Sequence, residues 1–187
     1  MLVAVNEAEQ IINLLEFSKS DLTELVGQFL RCPACKSQVR LKNAHVKMPH
    51  FAHVNLAACQ YYSENESLQH LTLKKRLYHW FKQTEQVKIE QFLPELQQTP
   101  DLLVNETIAI EIQCSHLSIQ RLRERTETYR AHGYTVLWLM GKDLWLGQHL
   151  TQLKQQLLYL TQNSGFYYWE LDCSVKNSAS TICATKI

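Results

Sequence analysis

The sequence predicts an α/β protein made of two parts, a small β module followed by a core with the order helix, three strands, helix, strand. Two observations lead to this prediction. Cysteine and histidine are concentrated between residues 29 and 60, whereas apolar residues beyond residue 63 recur first at helical spacing and then alternate as in strands. With 187 residues, 45% of them hydrophobic, the chain is long enough for one ordinary core with a small appendage.

Composition excludes several classes of protein. The formal net charge is +1, so the chain is not a bulk polycation, and contact with a polyanion would require local clusters of basic residues. The apolar start Met1–Val5 is followed at once by Asn6 and Glu7, which is not the pattern of a secretory signal. No apolar stretch approaches the ~20 residues of a membrane span. We therefore expect a cytoplasmic, soluble protein whose six cysteines are reduced and serve as metal ligands or buried apolar groups.

The first part, residues 1–62, is predicted to consist of short strands and one helix. Alternation and β-branched content indicate strands or hairpin stretches at Met1–Val5, Ile11–Phe17, Val39–Lys42 and His45–Met48. Ser20 is followed by acidic residues in a predicted first helical turn, and Gly27 suits the end of that helix.

The second part, residues 63–162, is predicted to be the core. Leu68, Leu71 and Leu77 recur at helical spacing. The expected elements are a helix over Ser67–Lys82, strands at Val87–Phe92, Asp101–Val104 and Thr107–Cys114, a helix over Ile119–Ala131 capped by Ser118, a strand at Tyr134–Met140 and a helix over Gln148–Gln162. The strand after the second helix should return by a right-handed crossover. Residues 163–187 should hold a terminal strand at Phe166–Leu171 and a polar tail.

The cysteine-rich region has the spacing of a zinc site. Cys32 and Cys35 form a C-x2-C pair, which supplies two of the four tetrahedral ligands that zinc prefers. His53 with Cys59, or His50 with His53, would supply the other pair. We favour Cys32, Cys35, His53 and Cys59, because three thiolates and one imidazole are a common closed structural set, and we keep His50 as the alternate ligand. The competing interpretation is that the cysteines are ordinary buried thiols.

Two carboxylates mark a candidate magnesium or manganese site. Alternation places Glu111 and Gln113 on one face of a strand whose other face carries isoleucines. If residues 105–107 form a three-residue turn, Asp101 falls opposite Glu111 on the same face. Two carboxylates there could hold a divalent cation that polarises a phosphodiester and activates water. The alternative is a solvated face without a metal.

The helices contribute candidate partners for this site. Glu66, His70 and Lys74 are spaced i, i+4, i+8 and lie along one helical stripe. Positive charge suited to phosphate or to DNA comes from Lys74, Lys75, Arg121 and Arg125, and Ser115 precedes the second helix. A solvated face with mixed charges is the alternative for both helices.

Taken together, these motifs resemble the competence protein CoiA family. The resemblance is carried by Cys-Pro-x-Cys, His-Phe-Ala-His and a following Cys, then by Glu-Ser-x-x-His-x-x-x-Lys from Glu66 to Lys74. It continues through Pro100-Asp101, Ile110-Glu111-Ile112-Gln113-Cys114-Ser115, Glu124-Arg125-Thr126-x-x-Tyr129 and Gly133-Tyr134-Thr135-Val136-Leu137-Trp138, in order over residues 32–141.

The resemblance implies a restriction-endonuclease-like, PD-(D/E)xK core and a role in processing incoming DNA, single-stranded or branched, during natural transformation, alongside competence or recombination proteins. Asp101 and Glu111 would be the metal carboxylates, Glu66 an accessory acid, and Gln113 would occupy the usual place of lysine. A neutral amide there lacks the lysine charge, so either Lys74 takes this role or hydrolysis is weak or absent. The alternative function is that of a non-catalytic DNA-binding accessory factor.

Overall fold

The computed structural model describes residues 1–18, 20–43, 48–55, 59, 66–163, 165–172 and 182–186. Most of the hairpin predicted at 45–48, the boundary predicted between residues 62 and 63, and the polar tail at 176–179 lie outside these residues. Within the described residues the chain forms two β-sheets and three α-helices. None of these helices combines the length and the apolar character that crossing a bilayer requires.

The first sheet is antiparallel and belongs to the N-terminal part. Its strands are β1 (Val3–Val5), β2 (Ile11–Asn13), β3 (Leu30–Arg31), β4 (Gln38–Lys42) and β5 (His50–His53). They are arranged in the order β2-β1-β3-β4-β5.

Two N-terminal elements differ from the prediction. The strand expected over Ile11–Phe17 ends at Asn13, because the Asn13 side chain accepts a hydrogen bond from the backbone nitrogen of Leu15 and begins a 3-10 helix over Leu14–Glu16. The helix expected after Ser20 is a 3-10 helix over Asp21–Leu25.

The second sheet contains the remaining strands and is flanked by helices. The strands are β6 (Val87–Ile89), β7 (Leu102–Val104), β8 (Ile108–Gln113), β9 (Thr135–Met140), β10 (Tyr159–Thr161), β11 (Gly165–Leu171) and β12 (Ile182–Lys186), and the helices are α1 (Leu68–Phe81), α2 (Ile119–Ala131) and α3 (Gln152–Gln156). The order is β10-β11-β9-β8-β7-β6, and β12 pairs with β11.

The elements from α1 to β9 follow the predicted order of helix, three strands, helix and strand. Strands β6, β7 and β8 form an antiparallel meander, and β9 returns parallel to β8 after α2. Asn105 and Glu106 both have positive φ angles, 49° and 60°, as the tight turn between β7 and β8 requires. The register pairs Leu102 with Ile110, so Asp101 directly before β7 lies across from Glu111.

Alternation in β8 assigns its two faces to different helices. Ile110 and Ile112 pack in a cluster with Leu71 and Leu77 of α1, whereas Ala109 packs in a second cluster with Leu122 and Tyr129 of α2. The first cluster also includes Leu2 and Val3, so the N-terminal sheet is packed directly against the core. This packing places the N-terminal sheet beside β7 and β8.

The C-terminal prediction was wrong in one element. A helix was expected over Gln148–Gln162, but α3 covers Gln152–Gln156 alone and β10 follows. The leucine spacing fits a helix locally. Tertiary pairing overrides it, because Leu160 pairs with Phe166 across a hairpin and the Tyr159 hydroxyl accepts a hydrogen bond from the backbone nitrogen of Trp138.

Candidate active site and metal centre

The four residues favoured as zinc ligands lie together. One ligand atom from each of Cys32, Cys35, His53 and Cys59 lies within 4.8 Å of the corresponding atoms of the other three. Cys32 follows β3, and the turn after it is closed by a 3.0 Å hydrogen bond from the backbone nitrogen of Lys36 to the Cys32 carbonyl. His53 ends β5. The alternate ligand His50 is outside this group, and its Nδ1 lies 2.9 Å from the carbonyl oxygen of Met48.

The chemistry of this donor set fits a metal ion. Three sulfurs and one imidazole at this spacing match the tetrahedral coordination of structural zinc. Burial raises the pKa of the Cys32 thiol to about 12. At Cys35 burial is again the largest single cause, but hydrogen bonds with Ser37, Cys59 and Cys32 together outweigh it and lower the pKa. Burial lowers the pKa of His53, which favours the neutral imidazole that ligates metals. The cluster could therefore hold zinc, and a bound cation would stabilise the Cys32 thiolate that burial alone disfavours.

A second group that could hold a metal ion consists of Glu66, His70 and Asp101, again with ligand atoms within 4.8 Å of one another. Ser67 is the N-cap of α1, and its side chain accepts a hydrogen bond from the backbone nitrogen of His70. This cap places His70 in the first turn, with Nε2 2.9 Å from Oδ2 of Asp101. The same Oδ2 accepts a 2.8 Å hydrogen bond from the backbone nitrogen of Ile112 in β8.

Lys74 neutralises this acidic group from inside the protein. Its side chain is almost completely buried, and Nζ lies 2.8 Å from both Glu90 Oε1 and Asp101 Oδ1 and also contacts Glu66 Oε1. Burial alone would raise the carboxyl pKa values. The positive charges of Lys74 and His70 outweigh burial and hold the pKa values of Glu66 and Asp101 well below their usual range, with a further contribution from the Met1 ammonium at Glu66.

Glu111 has different partners from those predicted. It is buried, and its Oε1 accepts hydrogen bonds from the Tyr129 hydroxyl at 2.6 Å and from Arg125, both on α2. Burial outweighs the nearby Arg125 charge and raises the pKa of Glu111. The solvated-face alternative is therefore wrong for this residue. The residues that group with Asp101 also differ from the predicted pair of Asp101 and Glu111. Glu66 and His70 complete the group of Asp101, and Glu111 does not belong to it.

One cleft of about 280 Å³ joins these residues. Its walls include nearly every residue predicted for catalysis or nucleic-acid contact: Glu66, His70, Lys74, Asp101, Glu111, Gln113, Ser115, Arg121 and Arg125. Cys32 and Cys59 also line it, so the cysteine-rich group borders the acidic site. Lys75 is the exception, because it is exposed on α1 and does not line the cleft.

Two polar residues of this region were not predicted from the sequence. Glu90, directly after β6, has a positive φ of 48° that turns it out of the strand pattern expected through Phe92. That backbone conformation left no signal in the sequence. Tyr129 had a detectable signal, because it follows Arg125 by four positions on α2 and both side chains reach Glu111.

Comparison with known proteins identifies the family. Residues 66–187 match the model of the competence protein CoiA nuclease-like domain, and residues 14–62 match that of the CoiA N-terminal domain. The chain belongs to the competence protein CoiA family. It is 32% identical over 114 residues to competence protein CoiA of Bacillus subtilis (strain 168), a match that covers 59% of this chain and 31% of that relative. The chain therefore spans about a third of the length of the CoiA protein it matches, and no solved structure matches it.

Proposed function

We propose that this CoiA-family chain is a metal-dependent nuclease that processes incoming DNA during natural competence. The observation that carries the proposal is the cleft in which the group of Glu66, His70 and Asp101 meets Glu111 and Gln113 of the neighbouring strand. The nuclease-like family match and the competence protein from Bacillus subtilis support it. We further propose that the core is of the restriction-endonuclease type, with Asp101 before β7 and Glu111 and Gln113 in β8.

In this proposal Asp101, Glu66 and His70 hold a divalent cation. Carboxylates suit magnesium and manganese, and the imidazole favours manganese over magnesium. The cation would polarise the scissile phosphate and lower the pKa of the attacking water. Both hydrogen bonds that Glu111 accepts from other described side chains are to Oε1, so its second oxygen is proposed as a further metal or water ligand at the same cleft.

The remaining residues of the cleft would position DNA. Arg121 and Arg125 from α2 would bind phosphates through their guanidinium groups. The Gln113 side chain would occupy the position at which related nucleases carry lysine. The Gln113 Nε2 donates a 2.8 Å hydrogen bond to the Ser115 carbonyl, which fixes the side chain beside the cleft. Single-stranded or branched DNA is the proposed substrate, and zinc at the cysteine-rich group would stabilise the wall beside it.

The test is cleavage of single-stranded, duplex and branched DNA with magnesium or manganese. We expect Asp101→Asn and Glu111→Gln to lower the cleavage rate by about 10²-fold or more, because each removes one charge from the metal site while keeping side-chain size. Glu127→Gln is the matched control, since Glu127 is exposed on α2. A wild-type chain that cleaves none of these substrates would refute the hydrolytic proposal, and cleavage unchanged in both variants would refute the assignment of Asp101 and Glu111 as its site.

A second candidate function, DNA binding without hydrolysis, is favoured by two observations. Gln113 provides no positive charge, and Glu111 Oε1 is already held by Arg125 and Tyr129. A binding protein would show salt-dependent DNA association without metal-dependent cleavage. Arg121→Gln should then reduce the slope of log affinity against log salt by about one, whereas Arg123→Gln on the exposed side of α2 should leave it nearly unchanged.

A further inference from the structure

Glu90 is a buried acid that lies outside both ligand groups. Only 7% of its surface is exposed, and its positive φ of 48° directs the side chain away from the β6 pattern. Oε2 accepts hydrogen bonds from the backbone nitrogens of Leu2 at 2.7 Å and Val3 at 3.1 Å, and Oε1 lies 2.8 Å from Lys74 Nζ. The two amides fix this carboxylate in place, and the remaining oxygen faces the ammonium group.

The ammonium of Lys74 occupies the same carboxylates that would hold the metal. Nζ contacts Glu66 Oε1 and lies 2.8 Å from Asp101 Oδ1, and both acids belong to the group with His70. A divalent cation and an ammonium on the same two carboxylates would repel each other strongly in a buried site. Metal binding therefore requires Lys74 to give up these contacts.

Burial restricts where the ammonium can go. Lys74 is 1% exposed although it borders the cleft, so its ammonium depends on acidic partners within the protein. Glu90 contacts the same Nζ and is not a member of the metal group. We propose that Glu90 is a positioning residue, which retains the Lys74 ammonium when a divalent cation replaces it on Glu66 and Asp101. This inference rests on the proposed metal site.

The arrangement also couples the metal site to the N-terminal sheet. The amides that orient Glu90 come from Leu2 and Val3, and Val3 is the first residue of β1. Loss of these hydrogen bonds would free the Glu90 carboxylate to rotate and weaken its hold on Lys74. The N-terminal part thus contributes to metal binding through Glu90 as well as through the cleft wall.

The experiment measures Mn²⁺ binding to the full chain by electron paramagnetic resonance, without DNA. We expect Glu90→Gln to weaken binding by about 10-fold or more, because Lys74 then stays on Asp101 and Glu66. Adding Lys74→Met to Glu90→Gln should restore the affinity to the wild-type value or above, since the competing ammonium is gone. Glu106→Gln, which removes an exposed acid paired with Lys88, is the matched control.

A purely structural role for Glu90 predicts the opposite pattern. The second substitution would then add a further defect, and the double variant would bind Mn²⁺ no better than Glu90→Gln, which would overturn the inference. If Glu90→Gln does not fold, a Mg²⁺ titration of ¹⁵N-labelled wild-type protein replaces it. The Leu2 and Val3 amide resonances should shift as the ammonium moves fully onto Glu90, and unchanged resonances contradict the inference.

The outcomes separate this inference from the proposed function. If the wild type binds Mn²⁺ and cleaves DNA but Glu90→Gln leaves the Mn²⁺ affinity unchanged, only the proposed role of Glu90 is refuted. The expected Mn²⁺ pattern without any DNA cleavage would support Glu90 and refute hydrolysis. A wild-type chain that binds no Mn²⁺ would refute both.

Discussion

His70 Nε2 lies 2.9 Å from Asp101 Oδ2, although the two residues are 31 positions apart in the chain. The contact joins the first turn of α1 to the start of β7. Both residues belong with Glu66 to the group that could hold a metal ion. The imidazole would therefore supply the nitrogen ligand of the proposed site.

We expect His70→Ala to lower the affinity for Mn²⁺ by about 10–100-fold, because the group loses its only nitrogen donor among the described residues. Lys75→Ala on the exposed side of the same helix should leave the affinity unchanged. Isothermal titration calorimetry measures both. Equal affinities for wild type and His70→Ala would show that the imidazole does not bind the cation.

The cysteine-rich group should bind one zinc ion per chain. Cys35→Ser should lose the metal, because it replaces one of the four donors within 4.8 Å of one another, and the melting temperature should fall. Cys114→Ser is the control, since Cys114 lies outside this group. Elemental analysis and thermal unfolding are the measurements. Full zinc content in Cys35→Ser would contradict the assignment.

Gly141→Ala should destabilise the core by about 1–3 kcal/mol, as expected for overpacking. A Cβ at Gly141 would lie 2.7 Å from Cys114 Sγ, and the Gly141 backbone nitrogen donates to the Gln113 carbonyl, so neither side can move freely. Adding Cys114→Ala removes the sulfur and should recover part of the loss, giving a non-additive pair in urea unfolding. Additive free energies of unfolding would argue against this contact.

The metal-free protein should lose stability in acid. The folded-state pKa values of Glu66 and Asp101 are lowered, so both acids stabilise the fold above the unfolded-state pKa of about 4 and this contribution is lost as the pH falls below it. Each group adds a slope of up to about 1.4 kcal/mol per pH unit. The measurement is urea unfolding in a chelating buffer between pH 6 and pH 3.

Asp101→Asn removes one of these titrating groups. The free energy of unfolding of this variant should therefore fall less steeply with decreasing pH than that of the wild type. Glu111 has a raised pKa and contributes with the opposite sign, since it favours the fold at low pH. A variant with the same slope as wild type would show that Asp101 does not titrate in this way.

Several elements could be predicted because their signals are local. Ser118 caps α2 as expected, and alternation in β8 separated Ile110 and Ile112 from Glu111. The zinc-ligand set of the C-x2-C pair, His53 and Cys59 could also be predicted, because the spacing of these ligands along the chain can be read directly from the sequence. Residues that the family resemblance connected, including Gln113 and Arg125, line one cleft with the predicted acids.

The ionic partners of the site could not be predicted in this way. Nothing near Asp101 in the chain indicates that Lys74 and His70 would pair with it, or that Arg125 and Tyr129 would hold Glu111. Glu90 joins the site only because a positive φ rotates it toward Lys74 and the amides of the N-terminal sheet.

By itself, the sequence determined the helices with strong caps, the alternating strands and the types of ligand available, since these depend on neighbours along the chain. Only the tertiary structure decided which cation neutralises which acid, because the energy of a buried charge depends on distances set by the packing of α1, α2 and β1 around the sheet.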